Sequence, residues 1–281
     1  MLVAVTLWPS NEPTLLSWAP PTLSQPRTHR VTNDSLDVLA SLDPGRDYRI
    51  VLPDEPIVDT VNVVGGRNVV LIGGEIKIEN EGPSAGVETR YGFFLKNQTG
   101  TIHLEGVRIH GADLVAGVVL DQGEGATVQL QHIRIEDVHA RDNVEFTDSH
   151  PDVIQTWRGP RTLRIDRLTG TTAAVGLQFQ PHEYERQQID VWEIRRTNLR
   201  GSRSPDRSRH LLWKNGVEPW WRQRQDDVWV QPAPDREGWG VAYPSEELWE
   251  PFNLGEPPDG DFVPRGSAGI GYVSAGYRDD E

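Results

Sequence analysis

The sequence predicts an all-β fold: a right-handed single-stranded parallel β-helix with three strands per coil, a short N-terminal capping helix and extended segments at both ends. Three observations predict it. Short apolar segments recur in register, since Leu95, Leu120, Ile154, Leu177 and Leu212 are separated by steps of 25, 34, 23 and 35 residues. Leu104, Leu130, Ile165 and Val191 follow at 26, 35 and 26, and Val107, Ile133, Leu168 and Ile194 repeat those three steps. Positions that move in lockstep mean one unit stacked on copies of itself. Within the unit the apolar period is two, as in Thr101-Ile102-His103-Leu104-Glu105 and Thr162-Leu163-Arg164-Ile165-Asp166, which is the period of strand and not of helix. The corners between second and third strands, Glu105-Gly106 and Gln131-His132, are too short for the helical crossover that joins ordinary parallel strands. The chain must therefore coil. An antiparallel sandwich has similar strand density but gives no reason for synchronised registers.

In chain order, residues 1–31 read as an extended proline-rich arm. Pro9, Pro13, Pro20, Pro21 and Pro26 forbid continuous helix or central strand, while Trp8, Leu15, Leu16 and Trp18 are too apolar for a free linker. The arm is expected to lie on a surface, either its own chain's or a neighbouring subunit's. From Thr32, Asn33 or Asp34 can cap a short helix through Leu36, Val38, Leu39 and Leu42 that stops at Asp43-Pro44-Gly45. Such a helix covers the open end of a repeat core. Residues 32–215 then carry the coils. Residues 216–281 form a Trp/Pro-rich tail, because seven of the ten tryptophans fall between Trp192 and Trp249, too aromatic a composition for disorder. Val228 to Gln231 reads as one strand within it, and the glycine-rich end, Gly266 to Tyr277, needs something to lie against.

Composition narrows the function classes. A net charge of -14 with a pI near 5 argues against nucleic acid or an anionic membrane as partner. The absence of cysteine removes disulfides and thiolate metal sites, and no stretch reaches the length of a membrane span. The first nine residues lack a basic start and are cut by Pro9, so they read as a poor secretory signal.

The run Gly65-Gly66-Arg67-Asn68-Val69-Val70-Leu71-Ile72-Gly73-Gly74-Glu75-Ile76-Lys77-Ile78, with the coils after it, resembles the pectin-lyase-like β-helix superfamily over residues 33–215. The segment His150-Pro151-Asp152-Val153-Ile154-Gln155 resembles a strand found in several of its members. That resemblance implies the fold. It leaves function open, since the superfamily contains lyases, hydrolases, epimerases, adhesins and phage tailspikes.

The densest polar cluster precedes and includes the Ile154 strand: Glu136, Asp137, Asp142, Glu145, Asp148, His150, Asp152, Gln155, Trp157 and Arg158. With Ile154 inward, Gln155 and Trp157 face outward, Gln178 lies one coil above Gln155 and Gln180 above Trp157. Together with His150 and His182 they form the expected carbohydrate site, because an aromatic face takes a sugar ring and amides take its hydroxyls. Asp148 and Asp152, with Arg158, are the candidate catalytic set, for a carboxylate pair, which Asp152 with Glu183 could also supply, or for a carboxylate cluster with an arginine base. Against each stands a plainer role: aspartates that close a turn, an amide ladder between coils, aromatic rim packing. No cofactor is required, and no metal is assigned. A lyase would hold Ca²⁺ through Asp142, Glu145 and Asp148. The polygalacturonase signatures and the Arg-x-Pro-x-x-Arg pattern of pectate lyases do not occur as sets.

A coiled β-fold with an apolar arm, an aromatic tail and no export address resembles minor tail and tailspike proteins of bacteriophages. The resemblance implies a virion component whose partners are cell-surface polysaccharide and other tail subunits, as homotrimers in spikes. The alternative is an extracellular polysaccharide lyase or glycoside hydrolase.

Overall fold

The computed structural model describes residues 16–79, 90–139, 151–180, 191–202, 210–215, 222–234 and 241–277. They form an all-β structure of two parallel sheets, and its described helical elements are short 3-10 turns. The main path of the eleven-stranded sheet runs Arg27–Arg30, Tyr48–Val51, Val69–Ile72, Thr101–Glu105, Thr127–Val138, Thr162–Thr172, Val191–Gly201, Arg222–Gln231 and Asn253–Leu254. Glu75–Lys77 and Arg108–His110 pair beside it. The seven-stranded sheet takes the intervening strands, Val61–Val64, Tyr91–Lys96, Ala116–Asp121, Asp152–Arg158, Val175–Phe179, Leu212–Lys214 and Ala242–Tyr243. The chain thus alternates between the sheets, and each strand inside a sheet bonds to strands of the passes before and after it.

Apolar residues fill the space between the sheets in columns. Val61, Phe93, Val118, Ile154, Leu177 and Leu212 lie opposite one another in sequence of passes, and all are fully buried. Ile50, Leu71, Leu104, Leu130, Ile165 and Ile194 form a matching column. Two expected alignments differ. Ile154 faces Val118, and Leu120 faces Thr156; a slip of two residues keeps every side chain on its face, so alternation cannot detect it. Ile194 stands over Ile165 and Val191 over Thr162, because Trp192, only 1 % exposed, and not Val191, fills the core at the start of that strand.

The expected corners at Gly106 and His132 have positive φ, 69° and 56°; Arg167 at 52°, Arg196 at 39° and Asp227 at 57° stand level with them in later passes, and in the earlier one Gly73 and Gly74, at 68° and 99°, share the place. One left-handed residue bends the strand without ending the ladder on either side, so the second and third segments of each pass stay in one sheet.

Both ends differ in detail from expectation. The N-terminal helix is one 3-10 turn, Leu36–Leu39, whose preceding residue is Ser35 with no side-chain cap bond. Asn33 bonds instead to Pro56 O and Val58 N. Leu39 is nevertheless fully buried. Arg27–Arg30, within the expected arm, is a strand at the edge of the sheet. At the other end the ladder runs past residue 215, as Arg222–Gln231 pairs over nine positions with the preceding strand. Trp249 closes the core there. It is fully buried, stacks on Trp192 at 4.9 Å between centroids and meets Phe179 at 5.8 Å.

The described termini lie on the outer face of the long sheet. Gln131 clamps the main chain of Trp18, donating to its carbonyl at 2.7 Å and accepting from its N–H at 3.2 Å. The Trp18 ring lies under Arg195 and Arg164, at 4.9 and 5.5 Å. The C-terminal segment descends pass by pass: Asp261 bonds to Asn198, Val263 N to Thr169, Arg134 to Val263 O, His132 to Ser267 O, and Gly269 to Gly106 and Gly74. It ends with the Tyr277 ring 5.5 Å from the Arg49 guanidinium.

Candidate binding site

Gln155 and Gln178 are paired across neighbouring passes, as expected, but they are only 4 % and 5 % exposed. They do not form an open polar strip. Trp157 packs on Phe94 at 5.4 Å and edge-on to Tyr91 at 6.4 Å, in a small apolar cluster with Ala116 and Val119. Its ring is therefore engaged by the protein itself. Gln180 begins beyond the paired stretch, where its N–H donates to Thr156 Oγ1 at 2.9 Å. Asp152 is fully buried between Ala116 and Val175.

Arg158 binds the Asp121 carboxylate, which Lys96 also reaches at 3.0 Å. Burial pushes the Asp121 pKa up, but hydrogen bonds and charge from Arg158 and Lys96 outweigh it and hold the group below the usual carboxylate range. Arg158 thus neutralises a buried neighbour. Asp148, His150 and His182, with Asp142, Glu145 and Glu183, lie outside the described residues. Among the described residues no group of three His, Asp or Glu is placed to hold a metal ion, and no helix is long and apolar enough to cross a membrane.

An open concavity lies on the other sheet. A cavity of about 590 Å³ separates Arg49–Asp54 from the C-terminal segment, lined among others by Ile270, Val273 and Tyr277. One buried carboxylate helps to hold its outer wall. Glu105, fully buried, accepts from Tyr272 Oη at 2.7 Å and Ser274 Oγ at 3.0 Å, and its second oxygen also lies 3.0 Å from His103 Nε2. His103 reaches Gln129 through its other nitrogen at 2.9 Å. Gly106 makes room for this contact, since a Cβ there would stand 2.0 Å from the Tyr272 ring.

Burial alone would raise the Glu105 pKa, but the bonds from His103, Tyr272 and Ser274 leave it lowered. The same burial, with the Glu105 charge, raises the Tyr272 phenol, so it stays a donor. His132, 5.2 Å from the Tyr272 ring, is lowered chiefly by burial and partly by Arg167, against opposing effects of Ser267, Glu105 and Asp166. Both lowered groups bind protons more readily in the unfolded chain than in the folded one. Their contribution to the folded state, which includes their contacts to this segment, is therefore complete above the ordinary histidine pKa of about 6.5 and is lost as pH falls, first through His132 and then, below about 4.5, through Glu105. Limited proteolysis should cut residues 259–277 faster at pH 5 than at pH 7.5 while the strands stay protected. Equal rates would contradict this.

Sequence reasoning left the Glu105 contacts and Arg49 unassigned, although a signal was present. Val69-Val70-Leu71-Ile72 is apolar on both faces, the mark of a strand covered on both sides, and Val70 is 1 % exposed. Comparisons with protein-family models, with curated proteins and with solved structures each find no match to this chain.

Proposed function

We propose that the chain is a right-handed single-stranded parallel β-helix that serves as a structural and host-glycan-binding component of a bacteriophage tail, without cleaving the glycan. The observation that carries the binding reading is the open cavity of about 590 Å³ with mixed polar and apolar walls, within the range of roughly 300–1,000 Å³ typical of ligand sites. The candidate catalytic groups that are described support binding over turnover. Asp152 is fully buried and Arg158 is bound to Asp121. A catalytic acid or base must reach the proton it moves, and these two are occupied by the fold. The virion assignment rests on the arm and tail composition: segments rich in proline and tryptophan that lie along a coiled β-surface suit assembly with neighbouring tail subunits.

Incubation with purified cell-wall and capsular glycans tests the reading. The expected result is retention of the protein on one of these polymers with neither new reducing ends nor unsaturated uronates. Depolymerisation that disappears in a folded Asp152→Ala variant would establish the lyase or hydrolase reading instead.

A further inference from the structure

We infer that the Trp18 segment of the arm is exchanged between copies of this chain, each copy seating its Trp18 on the long sheet of a neighbour. This goes beyond the glycan-binding reading and does not rest on it. The socket is built for the segment. Gln131, 1 % exposed, holds both main-chain groups of Trp18 with one carboxamide. Arg196 donates to Ser17 Oγ at 2.9 Å, and the Trp18 ring lies on the guanidinium groups of Arg195 and Arg164. Those two groups also face the Glu193 carboxylate, at 3.8 and 3.9 Å. A guanidinium can meet a carboxylate along its edge and an aromatic ring on its face at once. Backbone, hydroxyl and ring are thus read together, whichever copy supplies them.

The connection back to the sheet favours exchange. Its next anchor is Ser24, whose N–H donates to Asp47 at 2.7 Å. Tyr48, Val69, Ile102 and Val128 stand in register on successive strands. Asp47 precedes that row by one residue and Gln131 follows it by three. At about 4.8 Å per strand and about 3.3 Å per residue, the two anchors are about 20 Å apart. The six steps from Trp18 to Ser24 reach about 20–22 Å when fully extended. Within one molecule the connection is therefore close to full stretch. Pro20 and Pro21 stiffen it. A short, stiff connection held at its limit is the condition under which a segment passes to a neighbour at little cost, because a second copy can offer the same socket over a shorter span. The copies then meet through the outer faces of their long sheets, where the arm lies.

Sedimentation equilibrium of the full chain tests the exchange. The native chain is expected to self-associate at micromolar concentration, and Trp18→Ala to weaken that association at least tenfold with far-UV circular dichroism unchanged. Gln131→Ala, which removes the clamp, should do the same, and the more exposed Arg195→Ala carries the socket side of the test if the buried position perturbs folding. Trp18→Ala keeps a sound socket and the socket variant a sound arm, so their mixture should associate at least tenfold more tightly than Trp18→Ala alone. A native chain that stays monomeric, or an oligomer that Trp18→Ala leaves intact, would overturn the exchange and mean that the arm closes on its own chain. A mixture no tighter than Trp18→Ala alone would overturn it as well.

Discussion

Replacing Trp249 by alanine is expected to cost about 3–5 kcal/mol of folding stability, the range for truncating a buried tryptophan. The ring is the last layer of the core, stacked on Trp192 at 4.9 Å and tilted against Phe179 at 5.8 Å. Its Nε1 also donates to Tyr243 O at 2.9 Å. Truncation removes the apolar contact, leaves a cavity open toward solvent at the end of the repeat, and orphans that carbonyl. A repeat core without a covered terminal layer loses cooperativity from that end. The Tm should fall by about 10 °C, following the usual scaling for domains of about 150–250 residues. A fall under about 2 °C would mean that Trp249 does not close the core.

Gln98→Leu should cost about 3 kcal/mol, for a different reason. Gln98 is fully buried, and its amide nitrogen lies within 2.9 to 3.0 Å of the carbonyls of Val63, Gly65 and Lys96. Its oxygen accepts from Gln122, whose own oxygen accepts from the Gln98 N–H at 3.1 Å. Leucine fills the space but leaves buried polar partners unmet, each at about 1–3 kcal/mol. Removing both ends of an interaction costs less than removing one. Gln122→Leu should therefore destabilise less in the Gln98→Leu background than in the parent, a coupling readable by denaturant titration of the four proteins. Strict additivity would rule out the ladder.

These two sites differ in how far the sequence betrays them. The alternation of Ile102, Leu104, Leu130 and Ile165 was enough to identify stacked strands and their inward face, because burial on one side imposes a period of two. Register was legible only to within a shift that keeps the face, which is why Leu120 was aligned with Ile154 when Val118 faces it. The corners at Gly106 and His132 were readable from their spacing, and both have positive φ. The interior amide pair was not, since Gln98 and Gln122 look like surface residues until their carbonyl partners are known. At Gln155 and Gln178 an amide ladder is the plainer alternative to the carbohydrate site, and the two are indeed paired across neighbouring passes.

The site was less legible than the fold for a physical reason. Polar residues in the Asp152 to Arg158 strand suggested an open carbohydrate face, yet exposure depends on what covers the strand, and local pattern carries no record of that. The cavity is walled by residues 228 apart, Arg49 and Tyr277. Nothing near Arg49 announces a partner so distant. The apolar run of Val69 to Ile72 announces only that some partner exists.

The register of successive passes is the claim on which the fold, the core and the termini all depend. The chain has no cysteine, so engineered pairs report register directly. Val119 faces Gln155, and adjacent strands lie about 4.8 Å apart, within disulfide reach. The alignment read from sequence would instead set Asp121 opposite Gln155, whereas the observed register separates those two by about 8 Å along and across the strands. Oxidation of the folded Val119→Cys/Gln155→Cys variant should give an intramolecular disulfide, detectable by mass spectrometry, and Asp121→Cys/Gln155→Cys should give none. A disulfide in the second pair and not in the first would contradict the register and the columns built on it.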